Sequence, residues 1–180
     1  RDLSDHGQPA ALGRHPLPDA AAFNALLVRL GATPMHQVVA YDAGDGAMAA
    51  ARFWWLLRLA GHARVAVLDG GFAAWLAKGL PVDTGLASPE PGHYAAAFDA
   101  SQVARTDEVL ARLAGPAGWL LDARAPERFR GEVEPLDPVA GHIPGAVNRP
   151  FGANLSGGGF KPADVLAAEF KALLGERPPS

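Results

Sequence analysis

Short apolar runs alternate with amphipathic stretches along this chain, which predicts strands separated by helices. Residues 37–41 (QVVAY), 64–68 (RVAVL) and 118–122 (GWLLD) have the length and composition of buried parallel strands. Residues 146–148 predict a further short strand, and residues 93–98 have a composition that permits one. The alternation predicts an α/β fold in which helices flank an open parallel sheet.

Helical spacing separates these runs. Between residues 23 and 30, a phenylalanine and three leucines fall at i, i+3, i+4 and i+7, shortly after the potential N-cap Asp19 and directly before Gly31. We therefore predict a helix that begins after Asp19 and ends at Gly31. Further helices are predicted over residues 47–60, 71–78, 106–113, 126–130 and 163–174. Glycine and proline predict an irregular stretch over residues 1–18, and glycine a flexible loop over residues 156–159.

Composition narrows the classes of function. The chain has 180 residues, of which 49% are hydrophobic, and a formal net charge of -3. No basic stripe interleaved with aromatic residues is present, which argues against nucleic acid as a main partner. No apolar run approaches the roughly 20 residues of a membrane-spanning helix, and the polar first residues do not resemble a signal peptide. We therefore expect no membrane partner and a cytoplasmic protein that is a monomer or a weak dimer.

Cysteine is absent from the sequence. Disulfides, thiolate–metal sites and a cysteine nucleophile are thereby excluded within these 180 residues. The six histidines form no i, i+4 pair with carboxylates, so no metal site is predicted. The pair Gly70-Gly71 follows a predicted strand but lacks the Gly-x-Gly-x-x-Gly pattern of dinucleotide sites, and we expect no cofactor.

Two longer blocks of sequence carry recognisable signatures. The first, residues 38–82, runs strand, glycine-rich loop, helix, strand, Gly-Gly turn and tryptophan-bearing helix, and it ends in Gly-x-Pro-Val. The second, residues 120–151, has Asp-x-Arg at a strand end, then ERFRG and a GHIPGA turn. In this order the blocks resemble the second half of one rhodanese unit and the first half of the next in the tandem-rhodanese sulfurtransferase family. The resemblance covers nearly half the chain.

The resemblance implies two incomplete rhodanese units in tandem. Residues 1–84 are expected to be the second half of an inactive N-terminal unit, residues 85–104 a linker, and residues 105–180 the first half of a catalytic C-terminal unit. Since both units are incomplete, we expect the chain to be a fragment or to lack its ends. One alternative stays open, in which the two halves fold as a single permuted domain.

The family resemblance also implies an activity. Such enzymes move sulfane sulfur from a small anionic donor, thiosulfate or 3-mercaptopyruvate, to a thiophilic acceptor such as cyanide through a cysteine persulfide. An amide-lined loop that lowers the thiol pKa holds this cysteine, which is expected just beyond Ser180. The 180 residues alone are therefore expected to be inactive. The alternative is a non-catalytic rhodanese-like module for binding or regulation.

Arg128, in ERFRG, matches the family arginine that holds the anionic donor. A guanidinium suits this task because it stays charged and binds oxyanions through two parallel hydrogen bonds. Without the resemblance, it reads as an exposed helical arginine paired with Glu127, Glu132 or Glu134. Arg130 is a second candidate for donor binding.

Asp122 and Arg124 follow the pattern of site support rather than of catalysis. They stand at the end of a predicted buried strand, the edge at which open α/β sheets place ligands. The resemblance implies that Asp122 accepts hydrogen bonds from the loop beside the cysteine. His142, in GHIPGA, has the chemistry of a ligand or base, but we favour a histidine held by hydrogen bonds in a turn that Pro144 and Gly145 fix.

Asp42 and Asp45 mark the corresponding loop of the first unit. The resemblance places Asp42 where the nucleophile would stand, yet a carboxylate cannot form a persulfide, and two negative charges repel an anionic donor. We therefore expect this loop to be degenerate. Asp42 is also a candidate cap for the turn and the helix that follow it.

Leu136 bears on the choice of donor. The mercaptopyruvate-type members of the family carry an arginine in the sequence EPR, which holds the carboxylate of the keto acid. Here residues 134–137 read EPLD. Since leucine cannot bind a carboxylate, the sequence favours thiosulfate.

Overall fold

The computed structural model describes residues 3–5, 13–85, 87–113, 115 and 120–177. The chain divides into two compact units, Arg1–Val103 and Ala104–Ser180. Helices alternate with parallel strand pairs in both, which confirms the predicted α/β class. The strands form separate two-stranded sheets in the described part of the chain, rather than one continuous open sheet. None of the described helices is long and apolar enough to cross a membrane.

The described part of the first unit contains three α-helices and two strands. They are α1 (Ala20–Arg29), β1 (Val38–Ala40), α2 (Ala49–Leu59), β2 (Val65–Val67) and α3 (Gly71–Ala77), with a 3₁₀ helix at Ala100–Gln102. Each of the five lies within the segment predicted for it. Strands β1 and β2 pair in parallel, with Val38 opposite Val65. The prediction that β1 is buried holds for one face only, because Ala40 is buried whereas Val39 is 52% exposed.

The core of the first unit joins α1 to α2. Asp19 caps α1 by accepting a hydrogen bond from the N–H of Ala21 at 3.3 Å, and the i, i+3, i+4 spacing places three apolar side chains on one stripe. Leu30, predicted to extend that stripe, is the C-cap residue and is 53% exposed. The buried cluster comprises Phe23, Leu26, Leu27, Leu56, Leu57, Ala60 and Tyr94.

Part of the predicted linker packs on this core. The N–H of Gly92 donates to Val28 and the N–H of Asp99 donates to Leu59, while Tyr94 is buried among the core side chains. Residues 93–98 form no strand. Residues 92–99 therefore pack with the first unit. The division of the chain into an inactive unit, a linker and a catalytic unit stays a prediction.

A buried polar pair fixes Tyr94. Its hydroxyl lies 2.7 Å from Nδ1 of His62, whose Nε2 lies 3.1 Å from the carbonyl oxygen of His36. Because a carbonyl only accepts, Nε2 carries the hydrogen and Nδ1 accepts from the hydroxyl. His62 is only 3% exposed, and burial raises the pKa of Tyr94.

Shorter elements make up the second unit. They are α4 (Thr106–Arg112), β3 (Leu121–Asp122), α5 (Pro126–Phe129), β4 (Val147–Asn148), a 3₁₀ helix at Phe151–Asn154, β5 (Leu155–Ser156), β6 (Gly159–Phe160) and α6 (Ala163–Leu174). Strands β3 and β4 pair in parallel, with Asp122 opposite Asn148. Residues 118 and 119 of the predicted third strand lie outside the described residues. No described residue of this unit is fully buried, and ion pairs such as Arg149–Glu169 at 2.6 Å link its elements.

The prediction of a flexible loop over residues 156–159 is wrong. Strands β5 and β6 form an antiparallel hairpin there, with Leu155 opposite Phe160. Gly157 and Gly158 connect the strands with φ of 60° and 86°. Two successive residues with positive φ form the tight turn that matches the twist of a hairpin, and glycine adopts it without a steric penalty.

Candidate functional site

The polar residues predicted around the second unit's strand end gather beside one pocket. Strand β3 leads directly into α5, and the chain returns through residues 137–143 before β4. The pocket has a volume of about 360 Å³. It is lined by Asp122, Arg124, Asp137, Val139, Ala140, Gly141, His142 and Ile143.

Asp122 and Arg124 hold one another at the end of β3. The Asp122 carboxylate accepts the backbone N–H of Arg124 at 2.9 Å and the guanidinium through both oxygens, with Nη2 at 2.6 Å from Oδ2. This guanidinium lowers the pKa of Asp122 although partial burial opposes the shift. Nη2 of Arg124 also donates to the carbonyl of Gly141 at 2.6 Å. The strand end is thereby tied to the turn that carries His142.

Asn148 completes this attachment. Its side-chain Nδ2 donates to the carbonyl oxygens of Asp122 and Arg124, each at 2.9 Å. These bonds cross from β4 to the residues that follow β3, so the loop after β3 begins from a fixed point. Asn148 was not among the residues predicted for the site, and its one signal in the sequence is a polar residue at the end of an apolar strand.

Arg128 is held by two carboxylates. It lies on α5, and its Nε and Nη2 donate to the two oxygens of Glu134 at 3.2 and 2.6 Å. Nη2 also donates to Oδ2 of Asp137 at 2.9 Å. Only 15% of the Arg128 side chain is exposed, so it is not the exposed helical arginine of the simpler reading. Glu134 was one of the expected partners and Asp137 was not.

Glu134 organises the turn after α5. Besides Arg128, its Oε1 accepts the backbone N–H groups of Leu136 and Asp137, both at 3.1 Å. The hydrogen bond from Arg128 lowers the pKa of Glu134 to about 2, and the two backbone N–H groups contribute to the shift. Its side chain is 5% exposed. Glu134 is therefore an ionised, fixed partner that sets the orientation of the Arg128 guanidinium.

Arg130, the second candidate, forms a surface pair. Its Nε and Nη2 donate to Glu132 at 2.6 and 2.8 Å, and both side chains are more than half exposed. Such pairs contribute little to stability. Among the described residues, no hydrogen bond joins Arg130 to the group around Arg128.

His142 is anchored on α5. Its ring stacks on Phe129 with centroids 3.7 Å apart, and Nδ1 lies 2.7 Å from the carbonyl oxygen of Phe129. Because a carbonyl oxygen only accepts, Nδ1 carries a hydrogen and donates it to Phe129. The N–H of Ala146 donates to Ile143 at 3.0 Å and Gly145 has φ of 80°, which closes the turn. In the described part of the chain, no cluster of three metal-ligand side chains occurs.

In the first unit, the Asp42 carboxylate accepts the backbone N–H groups of its own loop. Its Oδ1 accepts the N–H groups of Gly44 and Gly46 at 3.1 and 3.0 Å, and Oδ2 accepts the N–H of Ala50 in the first turn of α2 at 3.2 Å. Burial acts to raise the pKa of Asp42, but hydrogen bonds from the backbone outweigh it, so the pKa lies below its ordinary value. Asp45 accepts one local bond, from Ala47 at 3.0 Å. The geometry of Asp42 is that of a loop and helix cap.

The Gly-Gly turn supports this loop. Gly71 packs against the backbone of Gly44, where an added Cβ would stand 2.2 Å from the carbonyl oxygen, and its φ is 56°. Only glycine allows so close an approach of two backbones at positive φ. The N–H of Phe72 donates to the carbonyl of Asp42 at 3.0 Å. The start of α3 therefore packs against the loop of residues 42–46 and holds it in place.

Comparison with known proteins agrees with these features. The model of the rhodanese-like domain matches residues 8–78. A probable 3-mercaptopyruvate sulfurtransferase of Pseudomonas aeruginosa is 49% identical over 99% of this chain and 63% of its own length. A putative thiosulfate sulfurtransferase of Mycobacterium tuberculosis, SseB, is 46% identical over 88% of this chain and 55% of its own length.

Solved structures give the same result. The crystal structure of Escherichia coli SseA, described as a 3-mercaptopyruvate sulfotransferase with the rhodanese fold, matches with a TM-score of 0.81 and 34% identity, over 95% of this chain and 63% of that one. The 3-mercaptopyruvate sulfurtransferase of Leishmania major matches with a TM-score of 0.80 and 30% identity, over 96% of this chain and 48% of that one. The chain spans less than two thirds of the length of these relatives. It belongs to the rhodanese-like sulfurtransferase family.

Proposed function

We propose that this chain is the central part of a sulfurtransferase that moves sulfane sulfur from thiosulfate or 3-mercaptopyruvate to a thiophilic acceptor such as cyanide. The observation that carries the proposal is 49% identity, over 99% of the chain, to a probable 3-mercaptopyruvate sulfurtransferase. The nucleophilic cysteine stands beyond Ser180 in this proposal, because the 180 residues contain none. The protein acts in the cytoplasm as a monomer or weak dimer.

The reaction has two steps. The cysteine thiolate attacks the outer sulfur of thiosulfate, a new S–S bond forms, and sulfite leaves with the electron pair of the broken bond. Cyanide then attacks the outer sulfur of the persulfide, which releases thiocyanate and restores the thiolate. No redox partner is needed, because the sulfane sulfur and its electron count pass intact from donor to acceptor.

The residues of the second unit serve the donor. Arg128 binds its anionic group, and Arg130 is a second candidate for this role. Asp122, Arg124 and His142 hold the surrounding loops. The hydrogen bonds from Arg124 to Asp122 and to Gly141, and the stacking of His142 on Phe129 of α5, support this role. Residues 105–180 are the catalytic unit in this proposal.

The first unit is non-catalytic. Asp42 occupies the loop that a nucleophile would need, and Asp45 adds a second negative charge beside it. Residues 1–84 form the inactive unit in this proposal, and the linker is residues 85–104. The absence of cysteine favours one second candidate, a rhodanese-like module that binds a partner without catalysis.

The test uses the protein made from its complete reading frame. Its intact mass is measured first, because a mass above the 18.7 kDa of this chain means that further residues exist. Thiocyanate formation from thiosulfate and cyanide is then compared between wild type, Arg128→Gln and the surface control Arg112→Gln. We expect Arg128→Gln to raise the donor KM at least about tenfold, since a lost charged hydrogen-bonding partner is worth about 1.5–3 kcal/mol. A wild-type protein without sulfur transfer from either donor refutes the enzyme and leaves the binding module.

A further inference from the structure

Asp137 occupies part of the hydrogen-bonding surface of Arg128 that an anionic donor needs. A guanidinium has two edges that can bind an oxyanion through two parallel bonds, one formed by Nε and Nη2 and the other by Nη1 and Nη2. Glu134 takes the first edge with both of its oxygens. Since Nη2 has two hydrogens, the one left for Asp137 lies on the Nη1 side. Asp137 therefore stands on the second edge.

The two carboxylates differ in their exposure to solvent. The Glu134 side chain is 5% exposed, whereas the Asp137 side chain is 37% exposed. Asp137 also lines the pocket beside Arg124 and His142, which Arg128 itself does not line. Its carboxylate is thus the group that meets both the pocket and the donor-binding guanidinium. Of the two partners, Asp137 is the one that a ligand in the pocket can reach.

Charge favours displacement. The guanidinium groups of Arg124 and Arg128 lie beside the carboxylates of Asp122, Glu134 and Asp137. A dianion approaching this network meets repulsion until one carboxylate moves away from the guanidinium. Rotation of the Asp137 side chain removes that repulsion and opens the second edge in a single movement.

We propose that Asp137 is a displaceable internal anion that competes with the sulfur donor for the Nη1–Nη2 edge of Arg128, and so sets the affinity for anionic donors. This inference rests on the proposed function for the identity of the donor. Glu134 holds the guanidinium in place throughout. In the donor-bound state the Asp137 carboxylate turns to solvent, and the donor oxygens take its hydrogen bond.

Binding and turnover are measured on the complete protein, at constant ionic strength. Asp137→Asn removes the charge with the same shape, Asp137→Ser is a second variant in case the first folds poorly, and Asp164→Asn is the control with the same charge change on an exposed position of α6. Calorimetry gives the Kd of thiosulfate and of sulfate, which has the same charge but no sulfur to transfer. Steady-state assays give KM and kcat.

The expected result is a tighter Kd for both anions in both Asp137 variants, by about two- to fivefold, the range that an ion pair of this exposure corresponds to. The donor KM falls in parallel while kcat and the control stay unchanged, and Arg128→Gln in the same background abolishes the gain. Unchanged or weaker anion binding in both variants overturns the proposal, as does absence of binding altogether. Tighter binding without any turnover keeps the role of Asp137 and refutes the sulfurtransferase.

Discussion

Replacement of Asp42 by asparagine tests whether its carboxylate holds the first unit's loop and the start of α2. Met48, the N-cap residue of α2, makes no side-chain cap bond, and the first turn of the helix contains no acidic residue. Asp42 supplies both missing functions, because its carboxylate accepts the N–H of Ala50 and places a negative charge at the positive end of the helix. Asparagine keeps one acceptor oxygen, but its amide nitrogen faces an N–H donor and the charge is lost.

The magnitude follows from the three hydrogen bonds. Loss of a side-chain cap lowers the free energy of unfolding by about 0.5–2 kcal/mol. Deletion of a hydrogen bond to a charged group lowers it by about 1.5–3 kcal/mol. The half-buried position and the oxygen that asparagine retains reduce the cost, so we expect Asp42→Asn to lower the free energy of unfolding by about 1–2 kcal/mol. For a unit of roughly 100 residues, this lowers Tm by about 4–8 °C per kcal/mol.

The assay is urea and thermal unfolding of the 180-residue chain, followed by tryptophan fluorescence. Three of the four tryptophans, Trp54, Trp55 and Trp75, lie in the first unit. The matched control is Asp45→Asn, which changes the same charge in the same loop but loses one local hydrogen bond. We expect this control to shift the free energy of unfolding by less than about 0.5 kcal/mol. Equal effects of the two substitutions, or a stabilised Asp42→Asn, would refute the capping argument.

The pH dependence gives an independent check. The pKa of Asp42 is lower in the folded chain than its ordinary value of 3.8. A carboxyl group with a lowered pKa contributes its full stability above the unfolded pKa and loses it as pH falls through the folded pKa. The difference between wild type and Asp42→Asn should therefore be constant above about pH 5 and shrink below about pH 4.

Three further predictions concern a loop, a donor and a core hydrogen bond. Asp42→Cys, as the single thiol in this chain, should react with iodoacetamide with a thiol pKa below the ordinary value of about 8.5, because the same N–H groups stabilise the thiolate; a pH–rate profile with an ordinary or raised pKa contradicts this. In the complete protein, Leu136→Arg should lower the KM for 3-mercaptopyruvate more than that for thiosulfate, by about tenfold for one charged hydrogen-bonded contact; equal changes for both donors contradict it. Tyr94→Phe should lower the free energy of unfolding of the first unit by about 1–2 kcal/mol, because the buried Nδ1 of His62 loses its hydrogen-bond donor. The control Tyr41→Phe, at a residue that is 62% exposed, should leave the free energy of unfolding unchanged in the same assay.

The sequence was sufficient for the elements whose cause is local. Helix α6 was predicted from its apolar spacing with the bounds that it has, Ala163–Leu174. Helix α1 begins after Asp19 for the reason predicted, a side-chain cap. The hairpin at residues 155–160 was missed although its signal is local. A Gly-Gly pair between two short runs is a hairpin pattern, and it was interpreted as flexibility.

Contacts between residues far apart in the chain could not be predicted from the pattern of apolar and polar residues. Nothing in the sequence around Tyr94 indicates that its hydroxyl meets His62, 32 residues away, and the prolines before it suggested a linker instead. The same limit applies to the site. Asp122 and Arg124 are two residues apart on one strand end, so their pairing is a local consequence of the Asp-x-Arg pattern. The tie between Arg124 and Gly141 depends on the return of the chain to β4 and needed the structure.

For Arg128, the structural interpretation (an ion pair) and the functional interpretation (donor binding) do not exclude one another. The structural reading asked for an acidic partner, and Glu134 is that partner. The functional reading asked for a guanidinium that can hold an anion through two bonds, and the Nη1–Nη2 edge can do this once Asp137 leaves it. An arginine without a fixed partner would have to lose its side-chain freedom when the donor binds, at a cost of up to about 2 kcal/mol. Glu134 already immobilises the Arg128 side chain, so the guanidinium is oriented before the donor binds. The ion pair that favoured a purely structural role for Arg128 therefore also supports a role in donor binding.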